Sequence, residues 1–196
     1  NVPWHEVELP HCFNAEDAVD PDVTYYQGQG WYRTLLELNN PYPNGRTLLH
    51  FEGAGQRSEV YVYTNKVGEH LGGYDEFNVD ITEAAASAAK IERYQGKIPV
   101  AVLADNSRDL ETIPSDTSDF NLYGGLYRYV NLVYVPAISI QRVHVDISDI
   151  SAESAAVKVK VKLYNPEAYQ DAIQLQYTIH DPQGNEVARF HSDETA

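Results

Sequence analysis

Apolar and polar residues alternate along most of this chain, which is the pattern of β-strands with one buried face. The alternation is clear in three stretches, “WYRTLLEL”, “EVYVYT” and “KIPVAVLAD”. A fourth stretch, “LYRYVNLVYV”, is apolar on both parities, which predicts a central strand covered on both faces. The hydropathy pattern therefore predicts an all-β fold.

Turns and one helical segment separate these runs. The stretches “NNPYPNGRT” and “GEHLGGYDEF” carry the proline, asparagine and glycine residues that are typical of turns. The alanine-rich segment “DITEAAASAAK”, which starts at Asp80, predicts a helix of about two or three turns. Thr82 is the predicted N-cap of this helix, because threonine side chains accept hydrogen bonds from the first free amides.

The pattern changes after Pro136, where we predict a second domain. “AAVKVKVKLYN” alternates valine with lysine, and “AIQLQYTIHD” and “DPQGNEVARFH” add shorter strands and a turn. These short strands are typical of part of an immunoglobulin-like sandwich, since a complete one needs about seven strands. We therefore divide the chain into residues 1–136 and 137–196 and expect the second domain to be incomplete.

Composition and charge exclude several classes of partner. The chain has 196 residues, of which 43% are hydrophobic, and this is enough to bury a core. Its net charge of −15 disfavours nucleic acid and anionic membrane surfaces, whereas a neutral sugar is indifferent to this charge. No run approaches the roughly 18 apolar residues of a membrane helix, so we expect no membrane span.

Cysteine and methionine usage bear on the compartment. Cys12 is the single cysteine, so no intrachain disulfide can form. The chain has no methionine and no signal peptide at Asn1, which indicates a processed product or an excised piece. The compartment stays open, although an exported protein with its signal removed, either periplasmic or secreted, is favoured.

Five motifs can be compared together with a known family. The motifs are, in order, “WHEVELPHCFN”, “YYQGQGWYRTLLEL”, “HFEGAGQRSEVYVYTNKVGEHLGGYDEFNVDIT”, “PVAVLADN” and “DFNLYGGLYRYVNL”. By these motifs, residues 1–136 resemble the N-terminal sugar-binding domain of glycoside hydrolase family 2, in particular of its β-galactosidases, and the remainder resembles the immunoglobulin-like second domain of that family.

This resemblance implies a fold for this chain and a separate barrel domain that carries the catalytic residues. It implies a jelly-roll, galactose-binding-like β-sandwich followed by a partial immunoglobulin-like β-sandwich. In the family, two catalytic glutamates lie on a (β/α)₈ barrel, which typically needs about 250 residues and is absent from this chain. The barrel is therefore the expected partner of residues 1–136, and a β-galactoside-like glycan is the expected ligand.

The resemblance also implies three substrate contacts. Asp119 precedes “GLYR” at the spacing of an acid that contacts the sugar in the family, and a carboxylate can accept two hydroxyl hydrogen bonds. The alternative for Asp119 is the cap of a turn. Tyr26 and Gln27, just before “GQGWYR”, are the other candidates. The alternative for Tyr26 is a packed ring whose hydroxyl is already hydrogen-bonded.

Several residues near these motifs are interpreted as structural. Trp31 enters a predicted strand, and such a tryptophan is usually buried. Arg33 and Arg128 follow aromatic residues and are expected to form ion pairs or to stack on rings. His70 and Asp75 flank a glycine pair that we interpret as a tight turn.

No catalytic residue is predicted. Hydrolysis of a glycoside needs two carboxylates about 5 to 9 Å apart, and no pair of acids is marked out by its position. The pair Asn185-Glu186 matches the Asn-Glu of the family's acid/base motif, but it lies in “DPQGNEV”, which we interpret as a turn. We therefore expect the chain alone to hydrolyse nothing.

No cofactor or metal site is predicted either. The seven histidines are scattered, and none has the spacing of a zinc ligand. The acidic loops “AEDAVDPD” and “SDTSD” have the oxygen ligands that a structural calcium ion prefers, although a solvated acidic loop is the favoured interpretation.

These observations predict a non-catalytic, carbohydrate-binding and scaffolding region of a β-galactosidase-like hydrolase. The alternatives are an autonomous, lectin-like carbohydrate-binding module and a purely structural spacer. Half an immunoglobulin sandwich would also expose an apolar face and a strand edge, and such surfaces recruit another chain. We therefore expect a homo-oligomer through residues 137–196, with a face made of Val157, Val159, Val161 and Leu163.

Overall fold

The computed structural model describes residues 3–117 and 119–192. Ser118, where the stretch “SDFNLYGG” begins, lies outside the described residues. Nearly all of the regular secondary structure in the described chain is strand, so the all-β prediction is confirmed. One helix, α1 (Thr82–Ala88), and a 3-10 turn (Glu92–Tyr94) interrupt the strands. The strands are β1 (His11–Cys12), β2 (Gln29–Leu36), β3 (Arg46–Phe51), β4 (Arg57–Val62), β5 (Asn65–Leu71), β6 (Phe77–Asp80), β7 (Ile98–Asp105), β8 (Gly125–Leu126), β9 (Val130–Val135), β10 (Ser139–Ser148), β11 (Ala156–Tyr164), β12 (Gln176–His180) and β13 (Glu186–His191).

The chain divides into two compact units, with the boundary after Ala137. The first unit contains a four-stranded antiparallel sheet in the order β2–β7–β4–β5 and a three-stranded antiparallel sheet in the order β6–β3–β9. Side chains from both sheets form one hydrophobic core, so the first unit is a β-sandwich. The core residues include Leu49, Phe51, Val60, Val62, Val79, Val100 and Val102.

The strand β9 is an edge strand and not a central one, so that prediction was wrong. Within the described strands of its sheet, β9 pairs only with β3. The stretch “LYRYVNLVYV” is also divided, because β8 pairs with β1 before β9 begins. Val130 and Leu132 pack on the core, and the opposite parity of β9 carries the half-buried Val133 and Val135. An edge strand can therefore be apolar on both parities.

The predicted helix is confirmed, but Thr82 is not its N-cap. Thr82 is the first helical residue, and its amide donates to the Asp80 carboxylate at 2.9 Å. The Thr82 hydroxyl accepts from the Thr47 amide at 2.8 Å and so ties the helix to β3. Arg46, which is 9% exposed, donates to Asp80 at 2.9 Å and to Glu83 at 3.1 Å. The carboxylate before the helix therefore does the capping expected of the threonine.

Trp31 is not buried, which corrects a second prediction. Its side chain lies on the outer face of β2, is 47% exposed and tilts against Tyr61 at 5.6 Å between ring centroids. The side chains of β2 that face the core are instead those of Tyr32 and Leu36. The stacking predicted for Arg33 is confirmed, because its guanidinium lies 4.0 Å from the Trp4 ring centroid.

Among the described residues, Arg128 does not form the ion pair that was considered for it. Arg128 is exposed, runs along Gly53 and forms no ion pair within residues 3–117 and 119–192. The ion pair expected for it is therefore absent from the described part of the chain.

His70 stacks on Phe77 at 4.1 Å between ring centroids and pairs with Asp75 at 3.3 Å, which closes the turn between β5 and β6.

The second unit consists of two hairpins. β10 pairs with β11, and β12 pairs with β13. The turn predicted at “DPQGNEV” is confirmed, because the Gly184 and Asn185 amides both bond to Asp181 and Gly184 has a φ of 87°. One face of the β10–β11 hairpin is lined by cross-strand aliphatic pairs, which we call the aliphatic face: Ile140–Leu163, Val143–Val161, Val145–Val159 and Ile147–Val157.

Truncation of the central core side chain should destabilise the first unit strongly. Phe51 is fully buried and stacks on Phe77 at 4.6 Å between ring centroids. We expect Phe51→Ala to lower the free energy of unfolding by about 3–5 kcal/mol, because it leaves a cavity in the core. Urea denaturation followed by tryptophan fluorescence measures this, since both tryptophans lie in the first unit.

The matched control is Leu110→Ala, because the Leu110 side chain is 80% exposed. This substitution should change the free energy of unfolding by no more than about 0.5 kcal/mol. Equal effects of the two substitutions would show that Phe51 is not a core residue.

Candidate functional site

Three chain segments meet at one end of the first sandwich. The strands β2 and β7 are antiparallel, with Gln29 opposite Asp105, so the segment entering β2 and the segment leaving β7 lie at the same edge. The third segment, residues 119–124, leads into β8. The predicted contacts Tyr26 and Gln27 lie on the first segment, and Asp119 lies on the third.

Asn106 joins all three segments. It follows β7 directly and is completely buried. Its side-chain amide donates to the Tyr26 carbonyl at 2.8 Å and to the Leu122 carbonyl at 2.7 Å, and its oxygen accepts from the Gly28 amide at 2.9 Å. Both donors and the acceptor of the carboxamide are therefore used, as a buried polar group requires.

Asn14 makes a second set of contacts to the third segment. This residue is 2% exposed; its amide donates to the Leu122 carbonyl at 2.9 Å, and its oxygen accepts from the Gly124 amide at 2.8 Å. The Cys12 thiol also points at the Asn14 oxygen, at 3.3 Å. Burial raises the pKa of the Cys12 thiol, which disfavours the nucleophilic thiolate, so this cysteine is best described as a small packed side chain.

The Phe13 ring is packed between two glycines of the quoted motifs. A Cβ atom at Gly30 or at Gly124 would lie under 3.0 Å from the Phe13 ring. Tyr26 meets the same ring edge to face, with 5.5 Å between centroids. Glycine is therefore needed at both positions so that the aromatic ring can fill the space between the segments.

The three predicted contact residues differ in whether their side chains already form hydrogen bonds within the chain. Asp119 and Gln27 are exposed, and neither side chain makes a hydrogen bond within the described chain. Tyr26 is 47% exposed, but its hydroxyl donates to the Gln29 carbonyl at 3.0 Å. No contact joins Asp119 directly to the other two residues among the described atoms, so the segments are linked through Asn106.

A large cavity extends from Phe13 and Gly30 between the two sheets, beneath the N-terminal segment. Its volume is about 1450 Å³, and Trp4, Leu9 and Phe51 are among its lining residues. None of Asp119, Tyr26 and Gln27 lines this cavity. Because its walls include core side chains of both sheets, we regard it as a gap in the sandwich and not as the site.

The described residues hold no visible catalytic or metal constellation. Glu186 begins β13, and Arg189 donates to its carboxylate at 2.9 and 2.5 Å, so it forms a local ion pair. Within residues 3–117 and 119–192, no three His, Cys, Asp or Glu side chains are grouped to hold a metal ion. Two acids of the loop “AEDAVDPD” accept local backbone bonds, Asp17 from Tyr26 at 2.6 Å and Asp20 from Asp22 at 2.9 Å. The calcium hypothesis stays a prediction.

Sequence reasoning missed Asn14 and Asn106. Each is the last residue of a motif quoted above, “WHEVELPHCFN” and “PVAVLADN”. For Asn106 the available signal was an asparagine at the end of an apolar strand, a position where a side-chain amide can bond to neighbouring loops.

Together these observations define a β-sandwich domain whose loops at one end are held by buried asparagines. Residues 5–136 match the family described as “Glycosyl hydrolases family 2, sugar binding domain”. The chain therefore belongs to glycosyl hydrolase family 2, and the predicted family is confirmed.

Solved structures and curated relatives agree with this assignment. The β-glucuronidase of Parabacteroides merdae is 51% identical, with a TM-score of 0.91, over 98% of this chain and 25% of that protein. The β-glucuronidase of Bacteroides fragilis is 32% identical over 89% of this chain and 25% of its own length. The β-galactosidase of Thermoanaerobacter pseudethanolicus is 30% identical over 85% of this chain and 21% of its own length. This chain thus spans about a quarter of the proteins that it matches.

No helix within the described residues is long and apolar enough to cross a membrane.

An added methyl group at Gly30 should disturb the packing of Phe13. We expect Gly30→Ala to lower the free energy of unfolding by about 1–3 kcal/mol, because its Cβ would overlap the Phe13 ring. The same substitution should cost less than half as much in the Phe13→Leu background, where the ring is absent. Urea denaturation of the four proteins measures this difference, and an equal cost in both backgrounds would contradict the proposed packing.

Proposed function

We propose that this chain is the non-catalytic, carbohydrate-binding part of a family 2 glycoside hydrolase. On this proposal, Asp119 and Gln27 contact the sugar, with Tyr26 beside them, while the catalytic carboxylates lie on a barrel outside this chain. One observation carries the proposal: two loops with free, exposed polar side chains are held together through the buried Asn106.

The chemistry of the free side chains suits a sugar. A carboxylate such as Asp119 accepts hydrogen bonds from two hydroxyl groups, and these bonds are stronger than neutral ones. The carboxamide of Gln27 both donates and accepts, so it suits a hydroxyl that does either. Hydrolysis itself needs a pair of carboxylates at a defined separation, which we assign to the barrel.

For the substrate we propose a β-glycoside, with a β-glucuronide as the first candidate. The 51% identity with the Parabacteroides merdae β-glucuronidase supports this choice over the β-galactoside favoured by the Asp119 pattern. A β-galactoside is the second candidate, supported by the Thermoanaerobacter pseudethanolicus β-galactosidase at 30% identity.

On this proposal, each of the two units corresponds to one domain type of the family. We interpret the first unit as the jelly roll, because two packed antiparallel sheets form it. We interpret the second unit, with its four short strands, as part of an immunoglobulin-like sandwich. A lectin-like module and a structural spacer are the alternatives; a lectin would bind sugar unaided, and a spacer would contribute no contact.

Removal of the Asp119 charge should impair a complete enzyme. This chain can replace the matching quarter of the Parabacteroides merdae β-glucuronidase, with which it shares 51% identity. In that chimera we expect Asp119→Asn to lower kcat/KM for nitrophenyl β-glucuronide by about 10- to 100-fold, because a hydrogen bond to a charged group contributes about 1.5–3 kcal/mol.

Asp116→Asn is the matched control, since it makes the same charge change at another exposed position of the same loop. This control should retain the activity of the unchanged chimera. An Asp119→Asn chimera with full activity would refute the substrate contact and favour the spacer.

We also propose that residues 137–196 mediate homo-oligomer formation. The aliphatic face supports this, because Val143, Val145 and Ile147 are 52%, 51% and 59% exposed. Exposed apolar patches of this kind are typical of interaction surfaces, and a two-stranded hairpin has unpaired edges.

A polar substitution on the aliphatic face should weaken this association. We expect Val145→Gln to raise the dimer dissociation constant at least about tenfold, because burial of a valine contributes about 1.5–3 kcal/mol. Light scattering over a range of concentrations measures this. The control is Lys162→Gln, on the opposite face of the same hairpin, and a monomeric wild-type chain at high concentration would contradict the proposal.

A further inference from the structure

The turn that follows β7 touches both of the loops that carry the proposed sugar contacts. Asn106 binds the Tyr26 carbonyl and the Gly28 amide on one side and the Leu122 carbonyl on the other. We infer that Asn106 is a positioning residue, which holds the Tyr26–Gln27 loop and the Asp119 loop in one fixed arrangement. This inference rests on the proposed function, because it concerns the same site.

Burial makes the Asn106 contacts hard to replace. The residue is 0% exposed, so water does not compete for its donors. Loss of the Asn106 side chain would leave the Tyr26 carbonyl without this donor, whereas the Leu122 carbonyl would keep the bond from Asn14. The planar carboxamide also fixes its two N–H directions relative to its oxygen, so the positions of both loops are set by one rigid group.

A second contact from the same turn reaches the residue next to Asp119. The Arg108 guanidinium donates to the Phe120 carbonyl at 2.5 Å. The backbone just after Asp119 is therefore attached twice to the turn, at Phe120 through Arg108 and at Leu122 through Asn106. Asp119 itself is exposed, so its direction depends on this attached backbone and not on contacts of its own.

Asn14 offers a natural comparison. It is also an almost fully buried asparagine, and it donates to the same Leu122 carbonyl. Unlike Asn106, it makes no hydrogen bond to the Tyr26–Gln27 loop within the described chain. Loss of its side chain should loosen the Asp119 loop alone, whereas loss of the Asn106 side chain should remove one bond from the Asp119 loop and two from the Tyr26–Gln27 loop.

The first test uses the 196-residue chain itself, with Asn106→Ala and Asn14→Ala, and measures amide hydrogen exchange by NMR. We expect exchange at the Gly28 amide to rise at least about tenfold in Asn106→Ala and to stay within about twofold in Asn14→Ala. Equal exchange at Gly28 in the two variants would overturn the inference. If Asn106→Ala does not fold, Asn106→Asp is used with the Tyr26 and Leu122 amide shifts as the readout, since it keeps the shape but lacks both donors.

The second test asks whether Asn106 acts through Asp119. In the otherwise unchanged chimera, Asn106→Ala should lower kcat/KM about tenfold. In a chimera that already carries Asp119→Asn, Asn106→Ala should lower kcat/KM less than about twofold, because the contact that Asn106 positions is already lost. A purely structural role would give the same loss in both backgrounds and would overturn the inference. If Asp119→Asn alone leaves activity unchanged, the proposed function fails, and the exchange measurement still decides whether Asn106 joins the loops.

Discussion

The Leu122 carbonyl is the acceptor on which the arrangement at the loop end of the sandwich depends. Two buried asparagines, one near the start of the chain and one after β7, donate to this single oxygen at 2.9 and 2.7 Å. A carbonyl oxygen has two lone pairs, so both donors can be accommodated in the absence of water. Segments that are far apart in sequence are thereby brought together, although few regular strand pairs connect them.

The strands of the fold could be predicted from alternation, but their neighbours could not. Alternation reports which face of a strand is buried, and this was sufficient for β4, β7 and β11. It carries no information about strand order, which is why β9 was expected at the centre of a sheet. Trp31 was expected inside for a different reason, because tryptophan is usually largely buried. An edge strand and a central strand have the same pattern when the outer side of the edge strand also carries apolar residues, as β9 does with Val133 and Val135.

The candidate site was predictable only where its residues resemble a family motif. Asp119, Tyr26 and Gln27 came from such a resemblance, whereas Asn14 and Asn106 bond to backbone groups and leave no pattern of partner side chains in the sequence. A buried asparagine and an exposed one look alike in a single sequence. What distinguishes them is the set of backbone groups that the fold brings into reach, and this set exists only in three dimensions.

The charges at the loop end also limit what this domain can discriminate. The two contact residues proposed here, Asp119 and Gln27, are one carboxylate and one carboxamide, and the chain carries a net charge of −15. Such groups suit sugar hydroxyls, but they offer no attraction to the carboxylate that distinguishes a glucuronide from a galactoside. On the proposed function, the choice between these substrates therefore does not rest on Asp119 or Gln27. This agrees with the similarity of the chain to both a β-glucuronidase and a β-galactosidase, because contacts to sugar hydroxyl groups can serve either substrate.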